Sequence, residues 1–479
     1  MTENHTSPAR GPWARERVLA TLDAAIVLCA GLLAFYLVVG RIDLGILSVN
    51  RVSKPLLVLF LLASVRAAVP RGSWLTNRLG RVRARVRAAL AAAERRTPWT
   101  SALIDAAVAM VSVHLAAKLV AFYANLLFPP ARDRHMVMPF EARRFAEAFA
   151  AWDSGWYFEI ARRGPFVNSE GQSSLAFFPL YPLLMRALAW PFGGSERALW
   201  VAGIVLSYAC FFLGLVVLHR FSFDRFADRE VARRTLLYLS VFPFAYFFTQ
   251  VYTESLFLFL SVSVVAAATA SRWGLAGALG FLTALTRPNG VLIAVPLALI
   301  ALGGRPRLLE LARRALAVAL VPAGLGVYCA FVYRRTGDPL GWLHAQEQWG
   351  YALGHRPWVE LMRMLDGLER HGAYGYFFSD PMAPYYFAHG MVALVMIALV
   401  PSVFRRLGAA LGAYVAVMLY LPLTGNALEG IGRYSATLFP VFMLIGAAAS
   451  KRGHEALLIT GALILSLLAS LFVTFHPIY

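Results

Sequence analysis

Apolar residues run in blocks of roughly 17–25 along most of this chain, the length a helix needs to cross the hydrocarbon core of a bilayer. The blocks cover 18–40, 53–70, 101–128, 198–219, 235–250, 254–271, 273–286, 289–302, 314–333, 385–403, 407–423, 434–449 and 455–475. They lack the two-residue alternation of a barrel strand, and in lipid only helices and closed barrels satisfy every backbone polar group. The pattern predicts an all-α polytopic membrane protein of roughly 11–13 transmembrane helices, a number set by the runs themselves. Residues 175–192 are apolar too, but Pro179 and Pro182 in "FFPLYPLL" break the run. That stretch reads either as a re-entrant segment or as a crossing.

Composition agrees with the pattern. Of 479 residues, 59% are hydrophobic and 15% charged, and the mean hydropathy is +0.62; a soluble domain carries about 25% charge. The net charge of +19 does not point to nucleic acid. Arginine gathers in short connectors between apolar runs, as the positive-inside rule requires, and anionic lipid is the natural partner of such connectors. The basic stretches 71–96, 303–314, 404–406 and 450–455 are expected in the cytoplasm, and 129–174 and 334–384 outside. The first outer segment balances six arginines with six acids, the second five with six. The basic stretch 219–234 joins the cytoplasmic set only if 175–192 re-enters. Arg10, Arg15 and Arg17 precede a run reaching Gly40 without an A-x-A site, so this end reads as a retained anchor. Cys29, Cys210 and Cys329 lie within apolar runs and show no metal spacing. The expected organisation is a two-span addition at 1–98, a membrane core at 99–333 that includes the outer loop 129–174, a second outer loop at 334–384, and closing helices at 385–479.

Four short polar motifs interrupt the apolar runs on the expected outer side. They are "WDSGWY" with Trp152, Asp153, Trp156 and Tyr157, "YTES" with Tyr252 and Glu254, "TRPNG" with Arg287 and Asn289, and "GIGRYS" with Arg433 and Tyr434. Ionisable groups at membrane depth are costly and mark pathways or sites. Asp153 reads equally as a helix N-cap or as a general base shielded by its aromatic neighbours. The tryptophans read as an interfacial belt or as a sugar platform. Glu254 suits the first turn of the helix that follows. Arg287, ahead of helix-breaking Pro288, either snorkels or binds phosphate, as Arg433 could. Arg143–Arg144 and Arg162–Arg163 read as solvated or headgroup contacts. His344, His355, His371 and His389 have no zinc spacing, and no Gly-rich nucleotide cradle is present.

The motif order "WDSGWYFEIARRGP", "SLAFFPLYPLL", "FPFAYFFTQVYTESLF", "ALTRPNG" and "GRYSATLFPVF" resembles the PIG-V family of mannosyltransferases, within the GT-C superfamily, from about residue 100 to the C-terminus. The resemblance implies a GT-C-like bundle whose extracytoplasmic loops carry the active site. It also implies a polyprenyl- or dolichyl-phosphate mannose donor, a glycolipid or glycan acceptor of the kind met in glycosylphosphatidylinositol (GPI) anchor assembly, and Asp153 as the base. It places the chain in the plasma membrane of a bacterium or the endoplasmic reticulum of a eukaryote. A divalent cation could assist at the phosphate, although the sequence offers no ligand cluster. The alternative is a transporter or flippase of lipid-linked sugars; such carriers often repeat their halves, and no repeat is visible here.

Overall fold

The computed structural model describes residues 99–131, 146–304, 306–351, 354–425 and 428–478, with a few isolated positions before residue 99. The expected spans 18–40 and 53–70 lie almost wholly outside the described residues. So do the connector 71–96 and the pair Arg143–Arg144. The chain divides into two compact units, Met1–Ser101 and Ala102–Tyr479. In the first, Ile42–Asp43 (β1) pairs antiparallel with Ser48–Val49 (β2), Ile42 opposite Val49.

The second unit is helical. The long helices α1 (Thr100–Leu127), α4 (Glu196–Phe226), α9 (Leu308–Thr336), α12 (Ala383–Leu407) and α16 (Lys451–Val473) are long and apolar enough to cross a membrane. Between them come α2 (Ser154–Arg163), α3 (Leu180–Ala189), α5 (Arg229–Ser240), α6 (Glu254–Thr269), α7 (Trp273–Ala284) and α8 (Ala294–Ala301). The C-terminal half adds α10 (Gly341–Glu347), α11 (Val359–Ser379), α13 (Ala409–Thr424), α14 (Ile431–Ala436) and α15 (Phe439–Ala448). Their surfaces show what solvent they expect. On α16, Ile459, Leu463 and Leu467 recur every four residues and are exposed, while Leu465, Leu468 and Phe472 on the other face are buried. A soluble protein rarely leaves such a stripe open to water; lipid tails match it. The apolar stretch of α4 is 56% buried against 28% for α9, α12 and α16, so α4 is central and the other three are peripheral. The all-α, polytopic class is therefore what the described residues form.

Several runs that read as continuous spans are broken. The span expected at 235–250 ends as α5 at Ser240, ahead of Pro243, and continues as a 3₁₀ turn at Ala245–Thr249. Proline cannot supply the next helical N–H. The run 289–302 opens as 3₁₀ turns at Pro288–Ile293 before the eight residues of α8. The run 434–449 splits into α14 and α15 ahead of Pro440. The stretch 334–384, expected as a loop, carries α10 and α11, the latter kinked at Gly372, where φ is 70°. Non-helical backbone at membrane depth is tolerated only inside protein or beside a cavity, and these breaks are held by local turn hydrogen bonds such as Ala245 N to Phe242 O at 2.8 Å and Leu438 N to Ser435 O at 3.1 Å.

The segment 175–192 contains the ten-residue α3, about 15 Å of helix by the rise per residue and half a bilayer core. Arg162 Nη1, at the end of α2, lies 3.2 Å from Glu196 Oε1, at the start of α4. The chain therefore leaves and returns to one end of the bundle, so 175–192 re-enters rather than crosses. The basic stretch 219–234 accordingly falls at the opposite end, where Arg234 Nη1 donates to Ala449 O at 3.0 Å and Tyr238 Oη meets His454 Nδ1 at 2.9 Å.

Candidate active site

Asp153 stands on a sharp turn. Trp152, just before it, has φ of +55°, a left-handed conformation that a bulky residue adopts only under constraint. The Trp152 indole donates to Phe472 O at 3.1 Å, and its ring lies 5.5 Å from that of Phe475. The Asp153 N–H donates to Tyr252 Oη at 2.9 Å. Although Asp153 occupies the N-cap position of α2, its side chain makes no cap bond. Its Oδ2 instead accepts from Arg433 Nη1 at 3.0 Å. The capping alternative is thus set aside: the carboxylate turns towards arginine.

A second carboxylate completes a charge-balanced quartet. Glu254, in the first turn of α6 and 1% exposed, lies 3.2 Å from Arg287 Nη2 and 3.8 Å from Arg433 Nε. Arg287 projects from an extended residue ahead of Pro288, and its guanidinium sits 4.4 Å from the ring centre of Tyr434 and 5.4 Å from that of Phe257. Two acids and two guanidiniums out of water cancel in charge, yet removing one partner of such a set costs about 3–5 kcal/mol. The pairing leaves donors to spare: Arg287 Nε and Nη1 are buried without a hydrogen-bond partner.

These groups border a cavity of about 280 Å³. Asp153, Arg287 and Arg433 line it with Thr253 and Thr286, and Trp152, Tyr157, Tyr434, Trp349 and Tyr351 form its aromatic wall. Burial, and after it the negative charges of Glu254 and Asp153, push the Tyr157 phenol above its ordinary range. The sequence-derived residues separate into four positions. Trp152, Asp153, Tyr157, Arg287, Arg433 and Tyr434 face the cavity. Tyr252 and Glu254 stand behind it, holding the first set. Trp156 stacks on Phe166 and Phe177 at ring distances of 5.0 and 5.4 Å, with Trp349 edge-on at 4.8 Å. Asn289, expected to bind substrate, is not on the wall: it is buried, and its Nδ2 meets Met418 Sδ at 3.5 Å.

Thr253 and Thr286 lie inside the quoted motifs but were not singled out. Trp349, Tyr351 and Gln346 arrive from the stretch expected as a loop. Gln346 Nε2 donates to Ala176 O at 2.7 Å, and Gln348 Oε1 accepts from Ser173 N at 2.9 Å, which docks that stretch beside the cavity. Of the histidines, His344 pairs with Asp338 at 2.7 Å, while buried His389 accepts from Gly432 N at 3.2 Å. Among the described residues no three His, Cys, Asp or Glu side chains converge as a metal site. The two carboxylates at the cavity are already engaged by guanidiniums, a set suited to an oxyanion.

Comparison with known proteins bears on the same region. Residues 108–325 match the family described as mannosyltransferase (PIG-V). Over 187 residues, 39% of this chain, the sequence is 27% identical to GPI mannosyltransferase 2 of Yarrowia lipolytica, and it spans about half (50%) the length of that relative. Among solved structures, ArnT from Cupriavidus metallidurans bound to undecaprenyl phosphate superposes with a TM-score of 0.44 at 16% identity, over 74% of this chain and 63% of that one. The Archaeoglobus fulgidus oligosaccharyltransferase AglB, in complex with an inhibitory peptide and a dolichol-phosphate, gives 0.38 at 13% identity, over 77% and 56%. The matched stretch, residues 108–325, includes Asp153, Glu254 and Arg287, so three of the four charged groups lie within the part of the chain that is similar to the PIG-V mannosyltransferase family.

Proposed function

We propose that the protein is a membrane-embedded, inverting glycosyltransferase that moves mannose from a polyprenyl- or dolichyl-phosphate donor to a hydroxyl of a glycolipid or related glycan, at the extracytoplasmic end of the bundle. One observation carries the reading: a single cavity joins a carboxylate, Asp153, to two guanidiniums, Arg287 and Arg433. Within the unit Ala102–Tyr479, that cavity lies at the end opposite the basic stretches 219–234 and 450–455, which agrees with what the positive-inside rule asks of an outer site.

Arg433 engages the base, and Arg287 holds two buried N–H groups without hydrogen-bond partners. An entering phosphodiester brings one negative charge to these donors. Arg433 turns to the phosphate, which releases Asp153 Oδ2. The acceptor hydroxyl then gives its proton to Asp153 while its oxygen bonds to the anomeric carbon. The bond from that carbon to the phosphate oxygen breaks, and its electron pair leaves with the lipid phosphate. One displacement with one carboxylate inverts the anomeric centre. The new charge on the departing phosphate falls to Arg287 and Arg433, whose placement is set before reaction.

The test uses membranes supplied with polyprenyl-phosphate [14C]mannose and total lipid extract. Asp153→Asn should cut transfer by at least about a hundredfold, within the span typical of a lost general base. Transfer at the wild-type rate would remove Asp153 from this role. If the wild type transfers nothing but carries a lipid-linked sugar across the bilayer, the protein is a carrier.

A further inference from the structure

A buried lysine inside a membrane helix calls for a reason, because charge in that position is costly and rarely kept without function. Lys118 lies well within α1 and is 6% exposed. Among the described residues no carboxylate lies within ion-pair distance of it. Its Nζ donates to the carbonyl of Ala148 at 2.6 Å and sits 5.1 Å from the ring centre of Phe149. One turn earlier α1 widens into a π-helical stretch, Met110–Leu115, a feature frequent near functional sites.

The segment Lys118 holds is the one that ends in Asp153. Ala148 O also accepts from Gln250 Nε2 at 3.3 Å, and Phe149 O accepts from Val251 N at 3.1 Å. Beside them, Asn125 Nδ2 on α1 donates to Glu147 Oε2 at 3.1 Å. From Ala148 the chain runs directly into the left-handed turn at Trp152 and then to Asp153. A strained turn persists only when its surroundings over-determine it, and these bonds, with Lys118 the shortest, do so from α1 on one side and from residues 250–251 on the other.

We propose that Lys118 is a positioning residue: it fixes the 146–153 turn through the Ala148 carbonyl and thereby sets where the Asp153 carboxylate stands. The inference rests on the transferase reading above. Lys118 touches no substrate; it acts through the turn. A displacement of about 1 Å at a reacting group costs about a hundredfold in rate, so a strong carbonyl anchor accounts for a lysine kept inside a membrane helix.

The variant is Lys118→Met, which removes the donor. It also makes α1 more apolar and so does not hinder insertion. Wild type, Lys118→Met, Asp153→Asn and the double variant are purified in nanodiscs and assayed with polyprenyl-phosphate mannose. We expect kcat to fall thirtyfold or more in Lys118→Met while the donor KM stays within twofold. In the Asp153→Asn background the same substitution should change little, because the group it positions is already gone. Equal losses in both backgrounds, or an unchanged kcat, overturn the proposal. Hydrogen–deuterium exchange gives a readout independent of transfer: peptides covering 146–156 should exchange faster in Lys118→Met and the rest of the chain should not. Unchanged exchange there overturns the positioning role even if transfer is confirmed. A wild type without transfer but with that local rise defeats the function proposed above and leaves the anchoring of the turn standing.

Discussion

At the scale of single residues, the quartet of Asp153, Glu254, Arg287 and Arg433 couples folding to chemistry. Glu254 is almost fully enclosed, with Arg287 at 3.2 Å and Arg433 only at 3.8 Å. Arg287→Met therefore leaves a buried carboxylate without its closer partner, and thermal unfolding should show a loss of about 3–5 kcal/mol. The double variant Glu254→Gln/Arg287→Met removes both charges together and should recover most of that stability while transfer stays absent. A double variant as unstable as the single one would mean that the pair is not the source of the cost. These four residues were legible in the sequence because acids and arginines at the edges of apolar runs are scarce and expensive. Asn289 shares a motif with Arg287 but does not line the cavity, since adjacency along the chain does not say which way a side chain points on a 3₁₀ turn. Trp349 and Tyr351 could not be read at all, because they reach the cavity only once their segment docks on 173–178.

At the scale of elements, hydropathy counts apolar residues but does not distinguish a helix from buried irregular chain. The runs 235–250 and 434–449 were equally apolar on both sides of their breaks, and only Pro243 and Pro440 marked the change. The breaks deliver Tyr252, Glu254 and Arg433 to the site, so the misread places are the ones that build it. Helix contacts are set by small residues, as expected where lipid offers no hydrophobic drive. A Cβ on Gly277 of α7 would stand 2.8 Å from Ala317 Cα of α9, and one on Gly324 of α9 would collide with the Phe281 carbonyl of α7. Gly324→Val should force these helices apart. Overpacking of this kind costs about 1–3 kcal/mol or more. Because α9 leads into α10 and the Trp349 wall, transfer should fall along with the thermal midpoint. A variant with wild-type midpoint and rate would show that the close approach is not required.

For the whole molecule, membrane class was open to a reading of run lengths, and the ends of the bundle follow from charge. The family match closes at residue 325, yet the site does not: Arg433, which engages Asp153, comes from α14, and Trp349 and Tyr351 of the aromatic wall come from the stretch after α9. The active centre is therefore a property of the assembled bundle. Its side of the membrane can be tested directly. Arg162 and Glu196 bring the two ends of the re-entrant segment together at 3.2 Å, so Ser169, exposed between α2 and α3, shares the end that holds Asp153. Ala409, exposed at the turn between α12 and α13 beside Arg405 and Arg406, belongs to the basic end. After Cys29, Cys210 and Cys329 are replaced, Ser169→Cys in intact cells, or in sealed microsomes with the lumenal face opened, should react with a membrane-impermeant maleimide from the extracytoplasmic side. Ala409→Cys should react only from the cytoplasmic side. The reverse pattern would turn the whole bundle over. Asp153 would then face the cytoplasm, where a donor presented on the outer leaflet cannot reach it.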